Sequence, residues 1–575
     1  MPTLEWIGKE KVINHHLDVP YRVLERQYSY DENGQCTEDN GSENMIIHGD
    51  NLSALKSLLP QYEGRIKCIY IDPPYNTAHS TNNNQRWVYN DNVDHPQIKA
   101  WLGQVVGDEG EDLSRHDKWL CMMYPRLRLL QKLLSKEGVI FISIDTSELF
   151  NLKMLCDEIF GKDNFVSLLS IENNPKGRKN SNFISVSNEY VLIYAKDKTQ
   201  AYFVENVPKN ASDLSLDENG RYVHNSGKRV LVGENSFNDI VEDFESEKHY
   251  SVYYRVLDNS MHLRKEMHLD EIDQALLDAG YERFYSYNGD HFVLNTYSAS
   301  KFEELFSQGA LDFKNGKIYE KNFSTVIRLK SIVANREYDA IIDNVEKKFK
   351  IDVKTTSAGQ ELKKIFGAKK IPFENPKNIG LINLLLTLFE DKDMIVLDSF
   401  AGSGTTAHSI LNLNQQDGGN RKFILVELMD YADTITAERV KRVIAGYGKN
   451  EEYVDGVCGN FSYYELGAPL MNGDELNEDI GADKIREYIY YTETKEALPT
   501  NATGCPYLMG VRNDTAYYFV YEKDAVTTLD HEFLTSITER ANGYIIYADL
   551  CTIPSAELAK YNIIFKKIPR DIAKL

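Results

Sequence analysis

Met394-Ile395-Val396-Leu397-Asp398-Ser399-Phe400-Ala401-Gly402-Ser403-Gly404-Thr405-Thr406 is a short apolar run that breaks into Gly-Ser-Gly and resumes as a helix-competent stretch from Thr405 to Leu413. The pattern predicts a strand, a tight turn and a helix, with glycines that let backbone approach a ligand closely. A phosphate-binding loop would need Gly-Lys-Ser/Thr, and Thr405 stands where the lysine would be. A dinucleotide fingerprint would need a third glycine, and His408 and Ser409 occupy that region. After Arg421, the run Lys422-Phe423-Ile424-Leu425-Val426-Glu427 reads as the next strand. A carboxylate at its tip suits a ribose diol, although Glu427 by itself would also serve as a solvated strand end.

The same alternation recurs toward the amino terminus. Asn44–Asp50 and Arg65–Asp72 read as strands joined by a helix over Leu52–Leu59. Lys118–Leu134 is an amphipathic helix, Gly138–Asp145 a strand and Ser147–Phe160 a helix, with further strands near Phe165–Ile171 and Glu189–Ala195. Alternating strands and helices predict an α/β fold with a doubly wound, mostly parallel sheet. Ligands of such sheets lie beyond the carboxyl ends of the strands, at the switch point.

One of those strand ends carries Asp72-Pro73-Pro74-Tyr75, directly after Ile66-Lys67-Cys68-Ile69-Tyr70-Ile71. Two prolines fix φ and preset the direction of the intervening carbonyl. A carboxylate and a carbonyl so held can accept both hydrogens of an exocyclic amine and localise its lone pair, while Tyr75 offers a face on which an extruded base can stack. Asp-Pro-Pro-Tyr is also an ordinary way to end a strand, and the glycine-rich unit is what tips the reading toward methyl transfer to a nucleobase amine. Transfer to cytosine C5 would need a cysteine nucleophile, and none accompanies Pro73-Pro74.

Taken together, Asp72-Pro73-Pro74-Tyr75 and Phe400-Ala401-Gly402-Ser403-Gly404 resemble the DNA amino-methyltransferases that use S-adenosylmethionine. The tetrapeptide precedes the glycine loop, which resembles the permuted β group. Met45-Ile46-Ile47-His48-Gly49-Asp50-Asn51 before it and Asn76-Thr77 after it are similar to the modification (Mod) subunits of type III restriction systems. The resemblance spans about residues 40–200 and 365–450. It implies a seven-stranded-type methyltransferase sheet and catalytic roles for Asp72, Pro73, Pro74 and Tyr75. It implies a cofactor site of Asp50, Asn51, Lys377, Asp398, Phe400, Ala401, Gly402, Ser403, Gly404, Thr405 and Glu427. Asn375-Pro376-Lys377 resembles the segment that closes over the methionine end, yet Asn375 as N-cap and Pro376 as first helical residue is an equally ordinary reading. The implied activity is transfer to adenine N6 in double-stranded DNA after base flipping. Cytosine-N4 transfer shares the geometry, and Asp72 in place of Ser favours adenine in the family. A homodimer and a restriction (Res, helicase–nuclease) partner are the implied assemblies. A rival reading makes the chain mainly a DNA-recognition subunit for such a partner.

Five divisions follow: an arm (1–40), a catalytic half (41–200), an inserted target-recognition domain (201–365), a cofactor-binding half (366–450) and a small α+β interaction domain (451–575). In the last, Tyr488–Tyr491, Tyr517–Tyr521 and Tyr544–Tyr547 read as strands. DNA-contact candidates are Asn76, Arg86, Lys176, Arg178 and Lys179, whose side chains suit phosphates and base edges. Trp87, Trp101 and Trp119 could stack on bases, although tryptophan is more often core.

Composition is compatible, with one tension. A formal net charge of −22 argues against indiscriminate DNA coating. Basic pairs at Lys347-Lys348, Lys363-Lys364 and Lys369-Lys370 predict a local DNA cleft in an acidic body. Seven scattered cysteines with no Cys-x-x-Cys and no metal spacing predict reduced thiols, no metal site and a cytoplasmic setting. The start Met1-Pro2-Thr3-Leu4 lacks a basic-then-apolar signal, and the longest apolar stretch, Leu381–Phe389, is too short to cross a bilayer, so no membrane role is expected.

Overall fold

The computed structural model describes residues 3–76, 114–177, 183–225, 229–473, 475–499 and 505–573. These form two compact units, one comprising Met1–Val204, Lys330–Arg336 and Ile351–Leu575, the other Glu205–Leu329 and Glu337–Lys350.

The larger unit is organised by one mixed sheet. In chain order its main elements are β1 (Arg22–Asp31), β2 (Met45–His48), α1 (Asn51–Tyr62), β3 (Ile66–Ile71), α2 (Arg115–Leu133), β4 (Leu134–Ile144), α3 (Leu149–Phe160), β5 (Phe165–Ile171) and β6 (Glu189–Ala195). After the second unit follow α4 (Thr355–Phe366), α5 (Ile379–Leu386), β7 (Ile395–Asp398), α6 (Thr405–Asp417), β8 (Lys422–Glu427), α7 (Glu438–Ala445) and β9 (Phe461–Pro469). The central strands run β2-β8-β7-β3-β4-β6-β5. All neighbours pair in parallel from β2 to β4, and β6 is antiparallel to β4 and to β5. These seven central strands have the doubly wound, mostly parallel order the alternation predicts, within a sheet of eleven.

Both faces of the sheet are covered, as a parallel sheet requires. Ile69, Ile71, Ile140, Ile142 and Ile144 pack in one cluster with Leu55 of α1, Leu127 of α2 and Leu152 of α3. The alternate residue Phe141 meets Phe203 and Phe389, with ring centroids 5.9 and 6.1 Å away. The middle of β3 and β4 is therefore apolar on both sides, and polar chemistry gathers at the carboxyl ends.

Several expectations need correction. Residues 1–40 are not an irregular arm: β1 pairs antiparallel with β9, with Leu24 opposite Leu466. Its buried residues (Val23, Tyr28, Ser29) do not alternate, because two register shifts interrupt the pairing, and charged residues (Arg22, Glu25, Arg26) are interspersed among them, which hid it in the sequence. The boundary at 451 also shifts, because β9 pairs in parallel with β2 and belongs to the central sheet. Tyr488–Tyr491 lie in a helix, Ala482–Thr494, that buries Ile485, Tyr488 and Ile489. Their spacing is helical, and tyrosine content alone suggested a strand. Asn375 has φ of +51° and caps nothing; Asn378 is the N-cap of α5, accepting from Gly380 N at 2.8 Å.

The carboxyl-terminal part has a four-stranded sheet, ordered Leu508–Arg512, Thr515–Phe519, Gly543–Ala548 and Ile563–Lys567. Tyr517, Phe519 and Tyr547 from this sheet share a core with Tyr21 and Val23 near the start of β1.

The second unit is built from short antiparallel pairs rather than a layered sheet. Val232, Tyr250, Val252, Phe284, Phe302 and Ile318 form its core. A buried Arg283–Glu266 ion pair (2.5 Å) is further satisfied by Tyr253, whose hydroxyl donates to Glu266 at 2.7 Å. The pair Lys347-Lys348 is exposed on the strand Val345–Ile351.

Candidate active site

β3 and β7 are parallel neighbours, with Val396 opposite Cys68 and Leu397 opposite Ile69. Their carboxyl ends therefore release Asp72-Pro73-Pro74-Tyr75 and Ser399-Phe400-Ala401-Gly402-Ser403-Gly404 side by side. A cavity of about 290 Å³, counting its open mouth, is lined by Tyr70, Asp72, Lys377, Asp398, Phe400 and Gly402 among others. The two motifs read separately in the sequence thus face one space.

The tetrapeptide is fixed from behind. Trp119 is fully buried in α2 and donates from Nε1 to the Pro74 carbonyl at 2.7 Å. Asn76, at φ +56°, is buried and donates to Arg115 O at 3.1 Å and to Glu148. Glu148 also accepts from His116 Nδ1 (2.6 Å) and Asn151 Nδ2 (2.7 Å). This carboxylate clasps the residue after the motif to the start of α2.

In front, three charged groups converge. Lys377 Nζ lies 3.2 Å from Asp72 Oδ1 and 2.9 Å from Glu189 Oε2, and donates to Tyr75 OH at 2.5 Å. The Tyr75 hydroxyl donates to Glu189 at 3.1 Å. Although paired in charge, Asp72 Oδ1 is buried and accepts no hydrogen bond of good geometry. Burial pushes the Asp72 pKa up to about 6, with Lys377 opposing and Glu189 adding to the rise. Burial alone would lower the Lys377 pKa, but Asp72 and Glu189 outweigh it and hold the ammonium above its ordinary value.

The glycine turn is held by buried polar groups. Glu427 at the tip of β8 accepts from Gly402 N at 2.7 Å and Met429 N at 3.0 Å. Asp398 accepts from Thr406 Oγ1 at 2.6 Å and Phe400 N at 3.0 Å. Burial lifts the pKa of each carboxyl to about 7. A π-helical turn, Ala432–Ala437, backs the loop, with Thr436 Oγ1 donating to Gly402 O at 2.6 Å. Arg439, fully buried in α7, donates to Ser403 Oγ (2.9 Å) and Thr405 Oγ1 (2.8 Å). Among the described residues it forms no ion pair, and burial brings its pKa down to about 10.

The remaining expected residues divide by role. Phe400, Ala401, Gly402, Ser403 and Thr405 line the cavity with Asp398 and Lys377. Gly404 packs behind the turn, Glu427 shapes it, and neither borders the cavity. Asp50 caps α1, accepting from Ser53 N at 2.9 Å and pairing with Arg126 at 3.1 Å. Asn51 donates to Ser399 O at 3.2 Å and accepts from Arg126 Nε at 2.5 Å. These two therefore brace the glycine turn and do not line the cavity. The buried Asn76 is a clasp and presents no surface to DNA, which corrects its reading as a DNA contact. Lys176 is exposed beyond β5. Arg86, Arg178 and Lys179, with Trp87 and Trp101, lie outside the described residues, and Trp119 is core.

Glu189, Arg439, Arg126 and Glu148 were not foreseen. Glu189 carried a faint signal: a lone acid opening the apolar run Tyr190–Ala195. Arg439 carried none, since within Glu438-Arg439-Val440-Lys441 it reads as any exposed helical arginine.

A family model described as DNA methylase matches residues 66–458. The EcoPI Mod subunit of a type III restriction-modification enzyme from Escherichia phage P1 is 31% identical over 446 residues, 74% of this chain and 63% of that protein. The StyLTI Mod subunit of Salmonella typhimurium is 30% identical over 467 residues, 76% of this chain and 63% of its own length. The EcoP15I Mod subunit of Escherichia coli is 30% identical over 452 residues, 74% and 64% respectively. The chain thus spans somewhat under two thirds of the length of these relatives.

Proposed function

Since the chain belongs to the DNA methylase family, we propose that it transfers a methyl group from S-adenosylmethionine to the N6 amine of adenine in duplex DNA. Its place would be that of the modification component of a type III restriction-modification system, as the names of the matched relatives suggest. The observation that carries the reading is the shared cavity: Asp72 and the glycine turn face one space from adjacent strand ends.

The cavity suits the methyl donor chemically. Asp72 and Asp398 bring carboxyl groups to its wall, and Phe400 adds an apolar side. Asp398, Phe400, Ala401, Gly402, Ser403 and Thr405 would hold S-adenosylmethionine, with Glu427, Asp50 and Asn51 keeping the turn in shape. When bound, the donor supplies an electrophilic methyl on a sulfonium.

The chain's own residues prepare the acceptor. A target adenine rotated out of the duplex stacks against Tyr75, and its amine donates to Asp72 and to the Pro73 carbonyl. The nitrogen lone pair, withdrawn from the ring, would form the new N–C bond as the methyl–sulfur bond breaks, the bonding pair leaving with the donor as a neutral thioether. The amine proton leaves to Asp72 or to solvent. Placement of amine against methyl supplies most of the rate, so Asp72 need not act as a strong base. Trp119 and Glu148 keep the motif from relaxing between turnovers. The second compact unit, Glu205–Leu329 with Glu337–Lys350, would read the DNA sequence, and a restriction subunit and a second copy would be its assembly partners. No helix among the described residues is long and apolar enough to cross a membrane, in keeping with action on cytoplasmic DNA.

Sequencing modified bases in DNA from cells with and without the gene tests the proposal. N6-methyladenine at one motif, lost with the gene, is the expected result. N4-methylcytosine would transfer the same site to the other base, and no modified base would refute the reading.

A further inference from the structure

Lys377 was expected at the methionine end of the donor, yet its ammonium stands in the acceptor part of the cavity. It is 3.2 Å from Asp72 Oδ1, the oxygen that should receive the target amine. It also lies 2.5 Å from the Tyr75 hydroxyl and 4.8 Å from the ring centroid, at the hydroxyl end of the ring on which the target base should stack. One cation thus holds the acceptor oxygen that the incoming amine needs and stands at the edge of the stacking ring. The amine cannot take that oxygen while the ammonium keeps it, because one acceptor position would be used twice. Glu189 supplies somewhere to go: both of its oxygens lie 2.9 Å from Nζ, and it is itself buried at the first residue of β6. Tethering comes from the backbone, since Lys377 O accepts from Thr405 Oγ1 of the glycine turn at 3.3 Å.

Resting on the functional reading above, we propose that Lys377 is the resident cation of the acceptor slot and that Glu189 is the carboxylate onto which it withdraws when the target base enters. In the resting chain Lys377 is shared between Asp72 and Glu189. On base entry it gives up Asp72 and keeps Glu189, so the slot exchanges an ammonium for an amine without leaving Lys377 unpaired. A buried charge stripped of its partner would be costly, which is why a second carboxylate is required beside the catalytic one. Glu189 is by this account a positioning residue: it acts on the base through Lys377, and it also holds the Tyr75 hydroxyl directly.

That dependence gives a test whose signs differ. The probe is a duplex bearing the methylated motif with 2-aminopurine at the target position, read by fluorescence with S-adenosylhomocysteine present. Lys377→Met removes the competitor and should tighten duplex binding about tenfold with brighter fluorescence, as for release from a state that is competent only about a tenth of the time. Glu189→Gln leaves the ammonium to Asp72 alone and should weaken binding and dim the signal. With Tyr75→Phe as the common background, which removes the direct Glu189–Tyr75 bond, the double variant should behave as Lys377→Met, since Glu189 has no cation left to draw away. Lys377→Gln serves as the replacement should the methionine variant fail to bind S-adenosylhomocysteine in calorimetry. The proposal is overturned if neither lysine variant exceeds wild type, or if Glu189→Gln still weakens binding in the double variant. A wild-type chain that methylates no DNA would instead sink the functional reading, and this one with it.

Discussion

Asp72 is placed under opposing demands. It must accept hydrogen bonds as a carboxylate, yet burial draws its pKa up to about 6. The sign follows directly: below about pH 6 the group carries a proton and cannot receive the amine, and above it the acceptor form dominates. Methyl-transfer rate at saturating donor and DNA should therefore climb with pH through about 6 and level off. Asp72→Asn should lower turnover by about a hundredfold or more while donor affinity in calorimetry stays near wild type. An unchanged rate, or a loss confined to donor binding, would remove Asp72 from the chemistry. At this scale the sequence showed the groups that carry a rare pattern, Asp72 to Tyr75 and Phe400 to Gly404. It concealed those whose role depends on being brought close by the fold. Glu189 is 117 positions from Asp72 (189 − 72), and only the antiparallel entry of β6 brings it to Lys377.

Elements decide how rigid the turn is. Gly404 has φ of +76°, and a Cβ there would lie 3.0 Å from Thr436 O in the π-helical segment. Gly418 has a similar φ, +66°, with nothing within 4 Å. Gly404→Ala should then cost about 2–3 kcal/mol in denaturant unfolding, ~1–2 of it from left-handed backbone, while Gly418→Ala should cost only that backbone share. Equal losses would show that the turn does not lean on the π-helical segment. Arg439→Met should slacken the same loop and weaken donor affinity about tenfold, the weight of one charged hydrogen bond. Strands and helices of the catalytic half were legible within a few residues, because buried parallel strands read as continuous apolar runs. The helix Ala482–Thr494 and the strand Arg22–Asp31 were not, since tyrosines suggested a strand in the one, and interspersed charges with two register shifts broke the period of the other.

At the scale of the whole molecule, β9 sits between β1 and β2, so the carboxyl-terminal region completes the central sheet. A chain ending at 450 should be insoluble or aggregated in size-exclusion chromatography, since it leaves the edges of β1 and β2 unpaired. One ending at 473 keeps β9 and should remain folded, with a lower Tm because Tyr21 and Val23 lose their core partners. Identical behaviour of the two would contradict the assignment of β9 to the sheet. Doubly wound topology was readable from alternation, but which distant segments close the edges was not, because strand pairing leaves no local mark. The adjacency of β3 and β7 also has a temporal consequence. Ile71 and Ile395 are 324 residues apart (395 − 71), so at ~5–20 residues per second a ribosome needs on the order of 16–65 s to deliver the second strand after the first. Throughout that interval the nascent polypeptide carries an apolar edge with no mate, and a holdase chaperone would find its longest window there.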